Sequence, residues 1–309
     1  MILTITANPS VDISYHLDKF NIDDVTRTSD INKHAGGKGI HVGYVLKELG
    51  ARPVHSGFVG GKLGEYIEDD LEKRGHEARF VKIKEETRNC IAILHEGKQT
   101  EILEAGPTIA REEEEDFIDK LKEISEDCDV INISGSLPKG VTSDFYKKII
   151  SFAKENNKFI SVDTSGKTLR DMIEAEIKPD LIKPNETEIG YVLGRKIAKK
   201  DLGDILLEKP FSDIKYIIVS MGKDGAVVKV GNKLYNAKVP KVCAVNPVGS
   251  GDSTLAGAIF AIAKKENDVD VIKTAMTCGL LNVLTEEIAH IEIEKFDEYF
   301  DKIEVEEYK

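Results

Sequence analysis

A chain of 309 residues is long enough for one large domain, alone or with a small companion. Hydrophobic residues at 41% and charged residues at 32% match ordinary globular proteins and exclude an intrinsically disordered chain. A formal net charge of -12 argues against nucleic acid as a main partner, since phosphate backbones need a basic surface, but a few converging cations would still hold a small phosphorylated molecule.

The N-terminus, MILTITANPS, enters an apolar strand with no charged leader. No stretch approaches the roughly 20 apolar residues that cross a bilayer, so a cytoplasmic protein without membrane contact is expected. The four cysteines, Cys90, Cys128, Cys243 and Cys278, form no C-x-x-C pair. They read as small buried residues rather than as disulfides or zinc ligands.

In chain order, MILTIT is the first predicted strand. Residues 11–35 then alternate polar and apolar positions, and GIHVGYVLKELG has the pattern of a helix. VHSGFVG around Phe58 is the next strand. Residues 88–107 (RNCIAILHEGKQTEILEAGP) alternate again, with EGKQ as the turn of a hairpin. DVINIS, FISVD, DLIKPN and YIIVS follow as strands, with helices over DFYKKIISFAKEN and TLAGAIFAIAKKE. Runs such as INIS and IIVS are apolar almost throughout, as strands buried on both faces are. The fold class expected is α/β, a doubly wound, mostly parallel sheet with helices on both faces. The alternating segments 11–35 and 88–107 make a small separate β-sheet, a lid, on a single domain spanning residues 1–309.

The strongest chemical signal is Asn246-Pro247-Val248-Gly249-Ser250-Gly251-Asp252 before a helix. Glycines let the backbone turn its N–H groups inward, and a helix N-terminus adds a favourable dipole for an anion. A carboxylate at the edge of such a cradle suits phosphoryl transfer, with Asp252 as general base and Gly249, Ser250 and Gly251 as anion hole. Two other glycine patterns fail. The dinucleotide fingerprint lacks its third glycine, which is Thr254, and the P-loop reading of SVDTSGKT has Ser161, inside a strand, in place of the first glycine.

Gly36-Gly37-Lys38-Gly39 precedes the first helix, so Gly37 exposes backbone to a polar ligand and Lys38 supplies a cation. Asp12 lies just past the first strand, where α/β folds place ligand contacts, and suits sugar hydroxyls. Arg27 and Arg88 stand at the lid edges, where an arginine fork would suit a phosphate. In Lys183-Pro184-Asn185-Glu186-Thr187-Glu188, the residues Asn185 and Glu188 share one side of a helical turn and could face the water shell of magnesium. Ser220-Met221-Gly222-Lys223-Asp224-Gly225 ends a strand in a glycine-rich turn, either a nucleotide contact or a plain β-turn.

Taken in order, Asp12, GGKG, KPN-x-x-E, S-x-G-x-x-G and GSGD resemble the PfkB (ribokinase-like) family of carbohydrate kinases over essentially the whole chain. The resemblance implies a ribokinase-like domain with a β lid, ATP and Mg2+, and a homodimer in which lids meet. It implies Asp252 as base beside Gly249, Ser250 and Gly251. Lys183, Asn185, Glu188, Ser220, Gly222 and Gly225 match the nucleotide and magnesium region, with Glu188 reaching the metal through water. Asn282 matches a position near the adenine. Asp12, Gly37, Lys38 and Arg88 match the sugar-phosphate side. NPSVDISY, SGSLPKG, NPVGSGDST and the hairpin resemble members acting on ketohexose monophosphates. Tagatose 6-phosphate is the acceptor expected first, and fructose 1-phosphate the alternative. One departure concerns the substrate: an Asn facing the sugar usually follows GGKG-x, and here His41 stands there. Two further classes share the fold, a nucleoside or vitamin kinase and a non-catalytic sugar-phosphate sensor.

Overall fold

A computed structural model describes residues 1–308. The chain begins with β1 (Ile2–Thr6), then lid strands β2 (Ser10–Leu17) and β3 (Ile31–Gly36), α1 (Lys38–Glu48), β4 (Pro53–Val59) and α2 (Gly61–Lys73). Short strands β5 (Glu77–Ala78) and β6 (Val81–Lys82) precede the lid hairpin β7 (Arg88–His95) and β8 (Lys98–Leu103). Next come α3 (Arg111–Ile124), β9 (Val130–Ser134), α4 (Ser143–Glu155), β10 (Phe159–Asp163), α5 (Gly166–Glu174), β11 (Leu181–Ile182), α6 (Glu186–Leu193) and α7 (Leu202–Leu207). The C-terminal third holds β12 (Tyr216–Ser220), β13 (Ala226–Val230), β14 (Lys233–Lys238), α8 (Ser250–Ala263), α9 (Asp268–Val283), α10 (Phe296–Lys302) and β15 (Glu304–Glu307).

The main sheet runs β15-β14-β13-β12-β11-β10-β9-β1-β4-β5, with β6 also on β4. From β12 to β5 every pairing is parallel, while β12 to β15 pair antiparallel. Strands β1, β4 and β9 are buried at every position, so their aliphatic residues pack on both faces and even their polar residues, among them Thr4, His55, Ser56 and Asn132, are enclosed. One face packs a core that includes Phe58, Phe117, Phe145 and Tyr146, and the other packs α1, α8 and α9. The sheet order turns at β1, with β4 on one side and β9 on the other, so a crevice opens at the strands' carboxyl ends.

The lid is a separate four-stranded sheet, β3-β2-β7-β8. Its hairpin turns at Glu96 and Gly97, both at positive φ (50° and 70°), as a two-residue connection requires. Residues 18–30 belong to no strand, so the lid is narrower than the alternation suggests. The predicted strand DLIKPN shrinks to Leu181–Ile182 because Asn185 already caps α6. All four cysteines are free, but only Cys128 and Cys278 are buried. Cys90 is half-buried on the lid, and Cys243 is exposed because its segment, 239–249, runs irregularly over the surface. Among the described residues no helix is long and apolar enough to cross a membrane.

Candidate active site

A cleft of about 520 Å³ lies between the lid and the carboxyl ends of β1, β9 and β10. The lid contributes Ser10, Asp12, His34, Arg88 and Cys90; the body contributes Lys38, His41, Gly135, Thr164, Gly249, Gly251 and Asp252. Local sequence explains these placements. Gly37 holds φ 114° at the N-cap of α1, and a Cβ there would come within 2.7 Å of Thr6 Cγ2, so only glycine lets α1 start this close to β1. Gly249 caps α8 at φ 83°, where a Cβ would meet Ala289 N at 2.8 Å. Ser250 and Ser253 N–H groups bond back to Pro247 and Gly249 carbonyls. Those of Gly251 and Asp252 have no partner among the described residues, the ordinary state of a helix's first turn. Unpaired donors on the positive end of a 14-residue helix form a place for an anion.

Asp252, 7% exposed, touches His41: its Oδ2 lies 3.3 Å from Nδ1 of the ring. On the ring's other side, Nε2 lies 3.4 Å from Asp12 Oδ2, a charge contact rather than an aligned hydrogen bond. Ser10 Oγ donates to Asp12 Oδ1 at 2.6 Å, completing a row of four side chains along one wall of the cleft. Burial would push the His41 ring down, but the close carboxylates of Asp12 and Asp252 outweigh it and push it up to about 9. Burial would likewise raise the Asp12 carboxyl; His41 and the Ser10 hydroxyl bring it below the usual carboxylate range. His34 completes this corner, with one ligand atom each from Asp12, His34 and His41 lying within 4.8 Å of one another.

Opposite this row stands a buried carboxylate that sequence reasoning missed. Asp163, at the end of β10, is 3% exposed and lies 3.2 Å from Lys38 Nζ and 3.8 Å from Lys183 Nζ. The charge of Asp163 is the main cause that holds the Lys38 ammonium well above its usual range, with Asp252 and Glu188 adding to it. Burial would raise Asp163, and the two lysines hold it down instead. Lys38 therefore sits on the floor beside Asp163 rather than out at the lid edge. A Cβ on Gly251 would lie 3.1 Å from Lys183 Nζ, which places that ammonium directly under the anion-binding turn. The signal was available, since a charged residue ending an apolar strand is the same pattern that singled out Asp12.

Other expected residues are placed differently. Arg88 Nη1 and Nη2 donate to Glu104 and Asn8 carbonyls (2.9 and 3.0 Å), so the guanidinium clasps the base of the lid while lining the cleft. Arg27 is exposed in the 18–30 segment and does not line the cleft, which separates it from Lys38 and Arg88. Asn185 and Glu188 form a reciprocal cap on α6, each side chain accepting the other's N–H at 2.9 Å, which leaves Glu188 Oε1 as the open oxygen. Ser220, Gly222 and Gly225 form a tight turn at the end of β12, outside the residues lining the cleft. Asn282 is a correction: it is fully buried, and no face remains for an adenine. Its Oδ1 accepts from Ser253 Oγ and Ala289 N, and its Nδ2 donates to Val248 O. It holds the Gly249 turn in shape. The rejected P-loop lysine, Lys167, is 80% exposed and paired with Asp171 on its own helix.

A lidded crevice at the carboxyl ends of a parallel sheet, lined by a helix N-terminus and Lys38 with Lys183 beneath the turn, is the architecture of a small-molecule phosphotransferase. The chain belongs to the pfkB family of carbohydrate kinases, whose family model matches residues 6–293. It is 47% identical over 307 residues to the tagatose-6-phosphate kinases of two Staphylococcus epidermidis strains, with 99% of each chain covered. Among solved structures it resembles a possible 1-phosphofructokinase of Thermotoga maritima, with TM-score 0.90 and 26% identity over 100% of this chain and 99% of that one. The fold also matches phosphofructokinase-2 of Escherichia coli in complex with fructose-6-phosphate, at TM-score 0.88 and 23% identity over 97% and 98% of the two chains.

Proposed function

We propose that this kinase transfers the γ-phosphoryl group of ATP to O1 of tagatose 6-phosphate, giving tagatose 1,6-bisphosphate. The observation that carries the chemistry is Asp252 beside the unpaired N–H groups of α8, inside a cleft closed by a lid. The acceptor supports itself on the curated relatives that cover this chain from end to end. Asp252 orients the acceptor hydroxyl through its second carboxylate oxygen. As the bond from that hydroxyl to the γ-phosphorus forms and the bond to the ADP oxygen breaks, the proton passes to Asp252. The hydroxyl becomes acidic along this path, so an ordinary carboxylate suffices. Gly249, Ser250 and Gly251 hold the transferring group, and Lys38 and Lys183 balance its charge from below.

ATP lies along the strand ends from Ser220 to Gly225, with Asn185 beside it. Glu188 would hold magnesium through water with its open oxygen, and the ion would neutralise the phosphate oxygens. Asp12, His41 and Gly37 face the sugar hydroxyls, while Arg88 faces the existing phosphate. The lid excludes water, which would otherwise take the phosphoryl group. Strand β8 is exposed along its whole length and carries Ile102 and Leu103, so a second copy pairs with the lid in a cytoplasmic homodimer. Light scattering at micromolar concentration checks this, and a monomer would refute it.

Fructose 1-phosphate is the second reading, favoured by the likeness to the Thermotoga structure and by the near symmetry of a ketofuranose phosphorylated at either end. The test is ADP release with magnesium-ATP and each of tagatose 6-phosphate, fructose 1-phosphate and fructose 6-phosphate, compared by kcat/KM. Preference for the first supports the reading. Preference for fructose 1-phosphate replaces the acceptor and keeps the chemistry.

A further inference from the structure

His41 joins three parts of the molecule. The ring comes from α1, Asp252 from the first turn of α8, and Asp12 from lid strand β2. It is 8% exposed and faces a carboxylate oxygen at 3.3 Å on one side and 3.4 Å on the other. A neutral imidazole carries one N–H and one lone pair, so it can serve only one of two carboxylates and turns a lone pair on the other. A carboxyl group on each side of one ring is best matched by an imidazolium, which turns an N–H towards both.

The remaining titratable neighbours do not supply that cation. His34, on β3, has its ring centroid 6.4 Å away and is itself pushed down by burial, with the His41 charge adding to this. Tyr44, one turn along α1, lies 6.4 Å off by ring centroid and donates its hydroxyl to the Ala35 carbonyl. Lys38, one turn before, is engaged by Asp163. Lys38 acts on Asp252 only through its charge, so the group that stands between both carboxylates within contact distance is the ring of His41.

We propose that His41 is a positioning residue which, as an imidazolium, locks the base Asp252 to the lid carboxylate Asp12 and gives phosphoryl transfer an alkaline limit that an asparagine at this place would lack. The inference rests on the reading of Asp252 as base and Asp12 as sugar contact. With the ring charged, lid and base are held in one geometry. Once the ring loses its proton, one carboxylate faces a lone pair and the two carboxylates repel across it. Asp252 then drifts from the acceptor hydroxyl, and turnover falls while ATP binding is unaffected.

The experiment compares wild type with His41→Asn and His41→Gln between pH 6 and pH 10.5, using protein first stripped of adventitious metal and then given magnesium-ATP. Wild type should lose kcat with tagatose 6-phosphate by about tenfold per pH unit above about 9, with the KM for ATP constant. His41→Asn should lower neutral turnover by about ten- to a hundredfold and lack the alkaline fall. Histidine-labelled wild type, followed by NMR without substrate, should show one ring still protonated at pH 7.5 whose signal is absent from His41→Asn. An unchanged alkaline fall in His41→Asn would overturn the proposal. So would a His41 ring that titrates near 6.5, an outcome readable even if both variants misfold. Asp252→Asn separates the two layers: if it keeps normal turnover, the assignment of the base fails, whereas the NMR result still decides the charge on His41.

Discussion

Asp163→Asn removes the charge that anchors two lysines on the floor of the cleft. The carboxylate is 3% exposed and lies 3.2 Å from Lys38 Nζ and 3.8 Å from Lys183 Nζ. Deleting one member of a buried ion pair costs about 3–5 kcal/mol, because the partner is left charged and desolvated. Here the cost is divided. The Lys38 side chain is 46% exposed and can turn to water, whereas Lys183, at 8%, cannot. A net loss of about 2–3 kcal/mol follows, read as a lower urea midpoint at unchanged slope. The dependence on pH has a definite sign. Lys183 and Lys38 hold the folded Asp163 below its ordinary 3.8, so the native state favours the ionised form. That contribution is present above the unfolded value and is lost as pH falls through the folded one. The gap between wild type and variant should therefore close under strongly acid conditions. With Lys38 unanchored, kcat/KM for the acceptor should also drop by about ten- to a hundredfold. A gap under about 0.5 kcal/mol that stays constant with pH would refute the reasoning.

Asp252→Asn should lower kcat by about 10²–10⁴-fold with ATP affinity retained; near-normal turnover would remove Asp252 from the mechanism. Gly249→Ala forces a side chain into φ 83° and within 2.8 Å of Ala289 N, so it should destabilise by about 1–3 kcal/mol and weaken ATP binding, checked by urea melts and the KM for ATP. His55 and His76 lie 3.0 Å apart by ring nitrogens and are kept neutral by burial, which pushes His76 down to about 4. The unfolded chain binds these protons near 6.5, so stability should fall as pH drops from 6.5 towards 4. His76→Gln should flatten that slope in melts at pH 5 and pH 7.

Much of this architecture was readable from residue order. Runs such as YIIVS are apolar because both faces of their strands are covered, and the lid alternates because only one of its faces meets the cleft. GSGD announced the start of α8 because glycine is needed there for backbone reasons that leave a local mark. What escaped has a local mark too common to single it out, or none. The strand Glu304–Glu307 is mostly polar because it lies at the sheet edge, paired only to β14, and Val305 alone is too little to betray it. Asp163 looked like any strand-end acid until the fold brought two lysines from other elements onto it. Asn282 matched a ligand position, yet its amide is consumed by Ser253, Val248 and Ala289. Residue identity at one position cannot distinguish an amide that touches a ligand from one that shapes the loop around it.

The lid meets the body along four separate runs of chain: into β2 after β1, out of β3 into α1, into β7 after Thr87, and out of β8 towards Pro107. A flap on one or two strings can twist, slide and fold back. A plate on four strings, with Arg88 clasping Asn8 and Glu104 at its root, keeps little more than a single rocking axis. A closing motion about that axis would repeat itself, and Asp12, carried on that plate, would return to the same spot over the cleft, a reproducibility that a free loop of equal length would not provide.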